Sequence, residues 1–231
     1  MSSLLAEKHL IALAIAVVVF CFFSIAPRYW PQSWSRPFLY GLALLLVGNE
    51  VSYIVYRLLT GSWTVQNGLT LYICDVAAYV GAAALVSKKP LLVELTYFWA
   101  FAGTLQSLLT PDNTASLFTF GYDQFYIDHI GVIAAACFLV IGLRCYPRKG
   151  SVVRVTLLTL LFIGVDALVD IFTNSNYMYL HRKPSQSSLL NVMGPWPFYL
   201  GTVTVLAVLV FLALDSPFWK GRRREARPAA K

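Results

Sequence analysis

The residues of this chain best suited to covalent chemistry lie inside apolar segments. The stretch LTLYICDVAAYV (69–80) holds Cys74 beside Asp75, FYIDHIG (125–131) holds Asp128 beside His129, and Glu50, Asp166 and Asp170 stand in two further apolar runs. A carboxylate in hydrocarbon costs at least about 2.5–3.5 kcal/mol on insertion scales, so it is retained where a partner compensates for it or a function uses it. A thiol becomes a competent acyl acceptor when an adjacent base removes its proton, and the base works best when a third group orients it. Cys74, His129 and a carboxylate supply those three types. Asp75 and Asp128 are sequence neighbours of the dyad, but successive helical residues point about 100° apart. Glu50, Asp166 and Asp170 are therefore equal candidates for the orienting group, and Asp75 is most economically a hydrogen-bonding residue that keeps the site polar.

Other chemistries have less support. Cys21, Cys137 and Cys145 read as small hydrophobes, and the four cysteines show neither CxxC spacing nor a Cys-rich loop. A site of His129 with carboxylates could take a metal, but no HxxxH or HExxH spacing supports one, so no metal and no cofactor is expected. A seven-span retinal protein needs a Schiff-base lysine in its last span, and residues 197–215 contain none.

The elements that position these residues are membrane spans. Of 231 residues, 58% are hydrophobic and 13% charged, against about 25% charged in soluble domains. A span needs about 20 mainly apolar residues, and seven runs qualify: 9–26, 37–59, 68–87, 91–110, 125–145, 155–173 and 197–215. The expected fold is all-α, one seven-helix transmembrane domain over 1–215 with a basic cytoplasmic tail at 216–231. The first run has no basic n-region before it and no cleavage signal after it, so it reads as a retained span. The net charge of +7 comes from cations between and after the spans, where they set orientation, so no nucleic-acid partner is expected.

Seven spans put the termini on opposite sides, and the cations then divide unequally. Arg28, Arg36, Lys88, Lys89, the 144–154 group and the tail share one side, fourteen of the eighteen Lys and Arg, leaving Lys8, Arg57, Arg182 and Lys183 on the other. The positive-inside rule places the C-terminus in the cytoplasm and the N-terminus outside, as in a multi-pass protein of the cell membrane. On that assignment Cys74 and Asp75 lie about 10 Å below the outer surface. Asp128, His129, Glu50, Gln106, Asp166 and Asp170 come to similar depth, and only Glu94 lies near the cytoplasmic end. Asp166 and Asp170, four apart, share a helix face that Asn174 continues. These positions point to one polar cavity in the outer half of the bundle. The loop NSNYMYLHRKPSQSSLLNVMGPW (174–196) is the longest connection and reads as a lid; its His181-Arg182-Lys183 cluster suits a phosphate-bearing headgroup, with Arg182 and Lys183 as contacts.

Four segments carry a family resemblance: LTLYICD (69–75), YFWAFAGTLQSLLTPD (97–112), FYIDHIG (125–131) and NSNYMYL…KP…SLLNVMGPWPFYL (174–200). They resemble the bacterial YwaF-like integral membrane proteins, related to the eukaryotic transmembrane protein 164 family, over most of the chain. This sequence has Thr70 where that family usually has proline, Tyr72 for histidine and Ile130 for glycine. The resemblance implies a seven-helix membrane protein and, through the eukaryotic relatives, a phospholipid acyltransferase using a cysteine and a histidine. By motif these are Cys74 and His129.

The leading expectation is thus a lipid acyl-transfer enzyme, transferase or hydrolase, with membrane phospholipids as partners and Gln106, Asn191 or a loop N–H as oxyanion donors. The alternative is a 3+1+3 solute transporter using its intramembrane carboxylates, with a faint internal echo between GNE (48–50) and GVD (164–166). A third reading is a receptor-like or chaperone-like protein whose polar residues only join helices.

Overall fold

A computed structural model describes residues 7–111, 119–184 and 189–220. Seven helices follow in order: α1 (Glu7–Ile25), α2 (Gln32–Leu59), α3 (Ile73–Ser87), α4 (90–109), α5 (Phe120–Gly142), α6 (Ser151–Thr173) and α7 (Phe198–Asp215). All but α3 and α4 are each long and apolar enough to cross a membrane. The described residues are all-helical, as in a multi-pass membrane protein, and the helix count among them is the one expected from hydropathy.

The boundaries differ from the apolar runs for identifiable reasons. α2, α5 and α6 start four or five residues before their runs, because a hydropathy pattern discounts polar first turns that the backbone still winds. α3 starts at Ile73 instead of residue 68. Residues 68–72 are held outside a helix, with the Trp63 indole donating to Gly68 O (3.1 Å) and the Leu69 N–H donating to the Tyr177 hydroxyl (3.0 Å). A Cβ on Gly68 would lie 2.1 Å from that indole, so only glycine fits. α3 ends in a left-handed residue, Lys88 (φ 51°), whose N–H returns to Ala84 O, and Pro90 then opens α4, where its missing N–H costs nothing.

α3, the first half of α4 and the second half of α5 form the buried centre. Ala77, Ala78, Ala84 and Ala134–Ala136 are almost inaccessible, and such small residues let helices approach closely in lipid, where no hydrophobic force drives them together. Gly131 of α5 receives Leu46 of α2, whose Cδ2 lies 2.8 Å from where a Cβ would stand. α4 is interrupted by a π-turn, Ala100–Thr104.

The two ends are tied by different chemistry. At one end Glu94, 1% exposed, takes five bonds: three from Arg148 (its N–H at 3.0 Å and guanidinium at 2.9 and 3.3 Å) and two from Arg154 (2.8 and 3.0 Å). The hydrogen bonds to Glu94 raise the Arg148 pKa above its ordinary value. Ser151 and Trp219 also donate to the Asp215 carboxylate, fastening α6 to the end of α7. At the other end the α2–α3 and α6–α7 connections clasp: the Tyr177 hydroxyl donates to Val65 O (2.8 Å), and the Gln66 amide donates to Thr173 O (3.0 Å).

Candidate functional site

Cys74 is the second residue of α3 and 8% exposed. Its Sγ lies 3.7 Å from the Ser107 hydroxyl of α4, and Thr104, one turn earlier, is fully buried with no hydrogen-bond partner for its own hydroxyl. Ile73, next to the cysteine, helps to line a cavity of ≈ 180 Å³ with Trp99, Gly103, Thr159, Met178 and Phe211, almost wholly apolar in character. A larger apolar groove of ≈ 1160 Å³ between α1, α2 and α5 reaches Ile130 and Gly131 but not Cys74.

His129 stacks on Phe125 (centroids 4.0 Å apart), and its Nδ1 lies 2.8 Å from Phe125 O. A carbonyl can only accept, so Nδ1 carries the proton and the lone pair of the neutral ring is on Nε2. Asp128 Oδ2 lies 3.3 Å from the same Nδ1. The neighbouring carboxylate thus comes within reach of the imidazole despite the turn of the helix between them. The hydrogen-bonding neighbour of the thiol is Ser107, so direct proton transfer from Sγ to His129 needs a rotation of the Cys74 side chain or an intervening hydroxyl or water.

The acidic residues fall into two groups. Glu50 of α2, Asp75 of α3 and Asp128 of α5 each offer a carboxylate oxygen within 4.8 Å of the others, and Gln124 donates to Glu50 Oε1 (3.1 Å). Asp166 and Asp170 share one buried face of α6; neither Asp166 oxygen accepts a hydrogen bond, whereas Asp170 reaches the following loop, with the Tyr177 N–H donating to its Oδ1 (2.9 Å) and His181 Nε2 3.8 Å from its Oδ2. Asn174 ends that helix in a left-handed conformation (φ 53°). Gln106 donates to Thr110 (2.8 Å), and Asn191 is exposed in a short 3-10 turn. Asn176 holds the backbone of His181 and Arg182 through three bonds, and Lys183 Nζ sits 5.3 Å from the centre of the Tyr199 ring. The loop is anchored over the start of α3, where Tyr177 packs edge-on against Tyr72 (5.5 Å).

Ser107, Thr104 and Gln124 were not singled out from sequence. The first two lie inside YFWAFAGTLQSLLTPD, where hydroxyls in an apolar run were the available signal. Shared depth along the spans was the signal for Glu50, Asp75 and Asp128 standing together, but nothing in the sequence separates these three from Asp166 and Asp170.

Fold and site together define a multi-pass helical membrane protein with a buried cysteine, an oriented histidine and a carboxylate cluster in its central helices. The family model described as the TMEM164 family matches residues 4–215, and the chain belongs to that family. It is similar to an uncharacterized protein of Treponema pallidum (strain Nichols), 26% identical over 217 residues, covering 91% of this chain and 87% of that protein. No solved structure matches it.

Proposed function

We propose that this protein, as a bacterial YwaF-like member of its family, transfers acyl groups between membrane lipids, with Cys74 as the acyl acceptor and His129 as the base. The observation that carries the reading is the placement of Cys74: a buried thiol in the first turn of α3, beside the Ser107 hydroxyl, with its sequence neighbour Ile73 lining an apolar cavity. His129 Nε2 takes the thiol proton, and sulfur attacks the ester carbonyl of a phospholipid. The C–S bond forms as the C–O bond breaks, and the imidazolium returns its proton to the leaving alkoxide. A lysolipid hydroxyl, or water, then attacks the thioester with its proton passing to His129, which restores the thiol. The Phe125 carbonyl orients the ring through Nδ1, Asp128 Oδ2 at 3.3 Å stabilises the imidazolium by its charge, and the Asp75 and Asp128 charges must be neutralised or screened while sulfur is anionic.

The ester is presented from the outer leaflet, with the N-terminus outside and the C-terminus in the cytoplasm, an orientation that the cation asymmetry supports. Arg182 and Lys183 meet the headgroup phosphate, and the tail reinforces orientation in the cell membrane. Gln106 and Asn191 serve as oxyanion donors only if substrate draws them inward, so a loop N–H or the Ser107 and Thr104 hydroxyls are the better-placed donors. The test compares lipid acyl-chain profiles of a null host expressing wild type, Cys74→Ala or His129→Ala. A shift with wild type that both variants abolish supports acyl transfer; a shift that both retain refutes it.

A further inference from the structure

The three carboxylates at the centre of the bundle lack cationic partners. Glu50 and Asp128 are each 1% exposed and Asp75 is partly exposed, with one oxygen of each within 4.8 Å of the others. Among the described residues no Lys or Arg forms an ion pair with any of them. Arg57, whose charge reaches Asp75, places its guanidinium on the Asn67 and Ser62 carbonyls and over the Tyr53 ring.

Asp128 supplies a second, separate observation. Neither of its oxygens accepts a hydrogen bond from a donor with proper geometry. The nearest such group, His129 Nδ1 at 3.3 Å, directs its hydrogen to Phe125 O. Buried carboxylates nearly always have donors, and an unpartnered one aimed at two others in a lipid-embedded bundle is balanced either by protons on the carboxyls or by a positive charge held between them.

We infer that Glu50, Asp75 and Asp128 bind one hard divalent cation. The donor set is all oxygen, which selects calcium, magnesium or manganese over the metals that prefer sulfur or imidazole. Oxygens on opposite sides of a calcium ion are about 4.6–5.2 Å apart, so donors within 4.8 Å of one another fit a single ion. The ion cancels two of the three negative charges beside Cys74 and locks α2, α3 and α5 together.

Calcium-45 binding to the full chain in lipid nanodiscs tests this. One ion bound per chain, with affinity at least tenfold weaker in Glu50→Gln and Asp128→Asn and unchanged in Asp166→Asn, is the expected result. Terbium provides a second readout that does not depend on losing a ligand. The Tyr79 phenol is within electrostatic reach of all three carboxylates, so Tyr79→Phe should lower tyrosine-sensitised emission while leaving calcium binding intact. Binding no greater than that of empty nanodiscs at millimolar calcium overturns the inference, as does equal binding in Glu50→Gln and Asp128→Asn; in either case protons neutralise the cluster. Because the readout is ion binding, its failure would leave the acyl-transfer reading untouched.

Discussion

At Cys74 one side chain has to be both buried and reactive, and its surroundings set what each substitution does. Cys74→Ser keeps the volume and the contact with Ser107 but replaces a good nucleophile with a poor one. Acyl transfer should fall by at least a hundredfold, with thermal stability unchanged, when lipid turnover and unfolding are measured on the same preparation. Asp128→Asn should slow transfer by about tenfold, within the usual range for general acid–base contributions, because His129 keeps its bond to Phe125 O and loses only the charge beside it. Asp128 and His129 were legible in the sequence because polar side chains are costly in hydrocarbon, and Cys74 because it stands beside Asp75 in an apolar run. Their grouping was only partly so. The sequence did not show which of Glu50, Asp128, Asp166 and Asp170 comes near His129, because neighbours on a helix normally diverge, whereas in the fold Asp128 Oδ2 lies 3.3 Å from His129 Nδ1. The pairing of Asp170 with the Tyr177 N–H was equally hidden, because it depends on how the loop folds back over α6.

Among the elements, the two clasps hold the bundle in register by different means. The Glu94 carboxylate is buried while Arg148 and Arg154 reach it from the surface with side chains 51% and 36% exposed. Removing both arginines by Arg148→Met and Arg154→Met leaves an unpaired buried charge and should cost about 3–5 kcal/mol, read as a lower midpoint in detergent unfolding; either change alone should cost clearly less. At the opposite end, Tyr177→Phe leaves Val65 O and Leu69 N–H without their partner and should cost about 1–3 kcal/mol. Hydrogen exchange would show faster protection loss in residues 64–72 than in α5. The spans themselves were legible because apolar length is a one-dimensional signal. The late start of α3 was not, since it depends on Trp63 and Tyr177 taking over backbone partners from outside the run. The π-turn in α4 likewise has no hydropathy signature.

For the whole molecule, sidedness fixes which leaflet the site can serve. Reporter fusions should place residue 231 in the cytoplasm and the N-terminus outside, and adding lysines to the 60–68 connection should weaken that bias by opposing the natural cation distribution. The fold class, the helix number and the family were all readable from composition and a few segments, because membranes leave so few architectures open. The separation of the acids into a central triad and an α6–loop pair was not readable, since hydropathy gives depth along a helix but not the angle at which each face meets its neighbours. The central claim is that Cys74 carries an acyl group. Intact-protein mass spectrometry of the chain purified from membranes and trapped with a phospholipid donor tests it most directly. The account predicts a hydroxylamine-labile acyl adduct on Cys74, absent in Cys74→Ala and much reduced in His129→Ala; an adduct that persists in Cys74→Ala, or lipid turnover with no adduct in wild type and undiminished in Cys74→Ala, would contradict it.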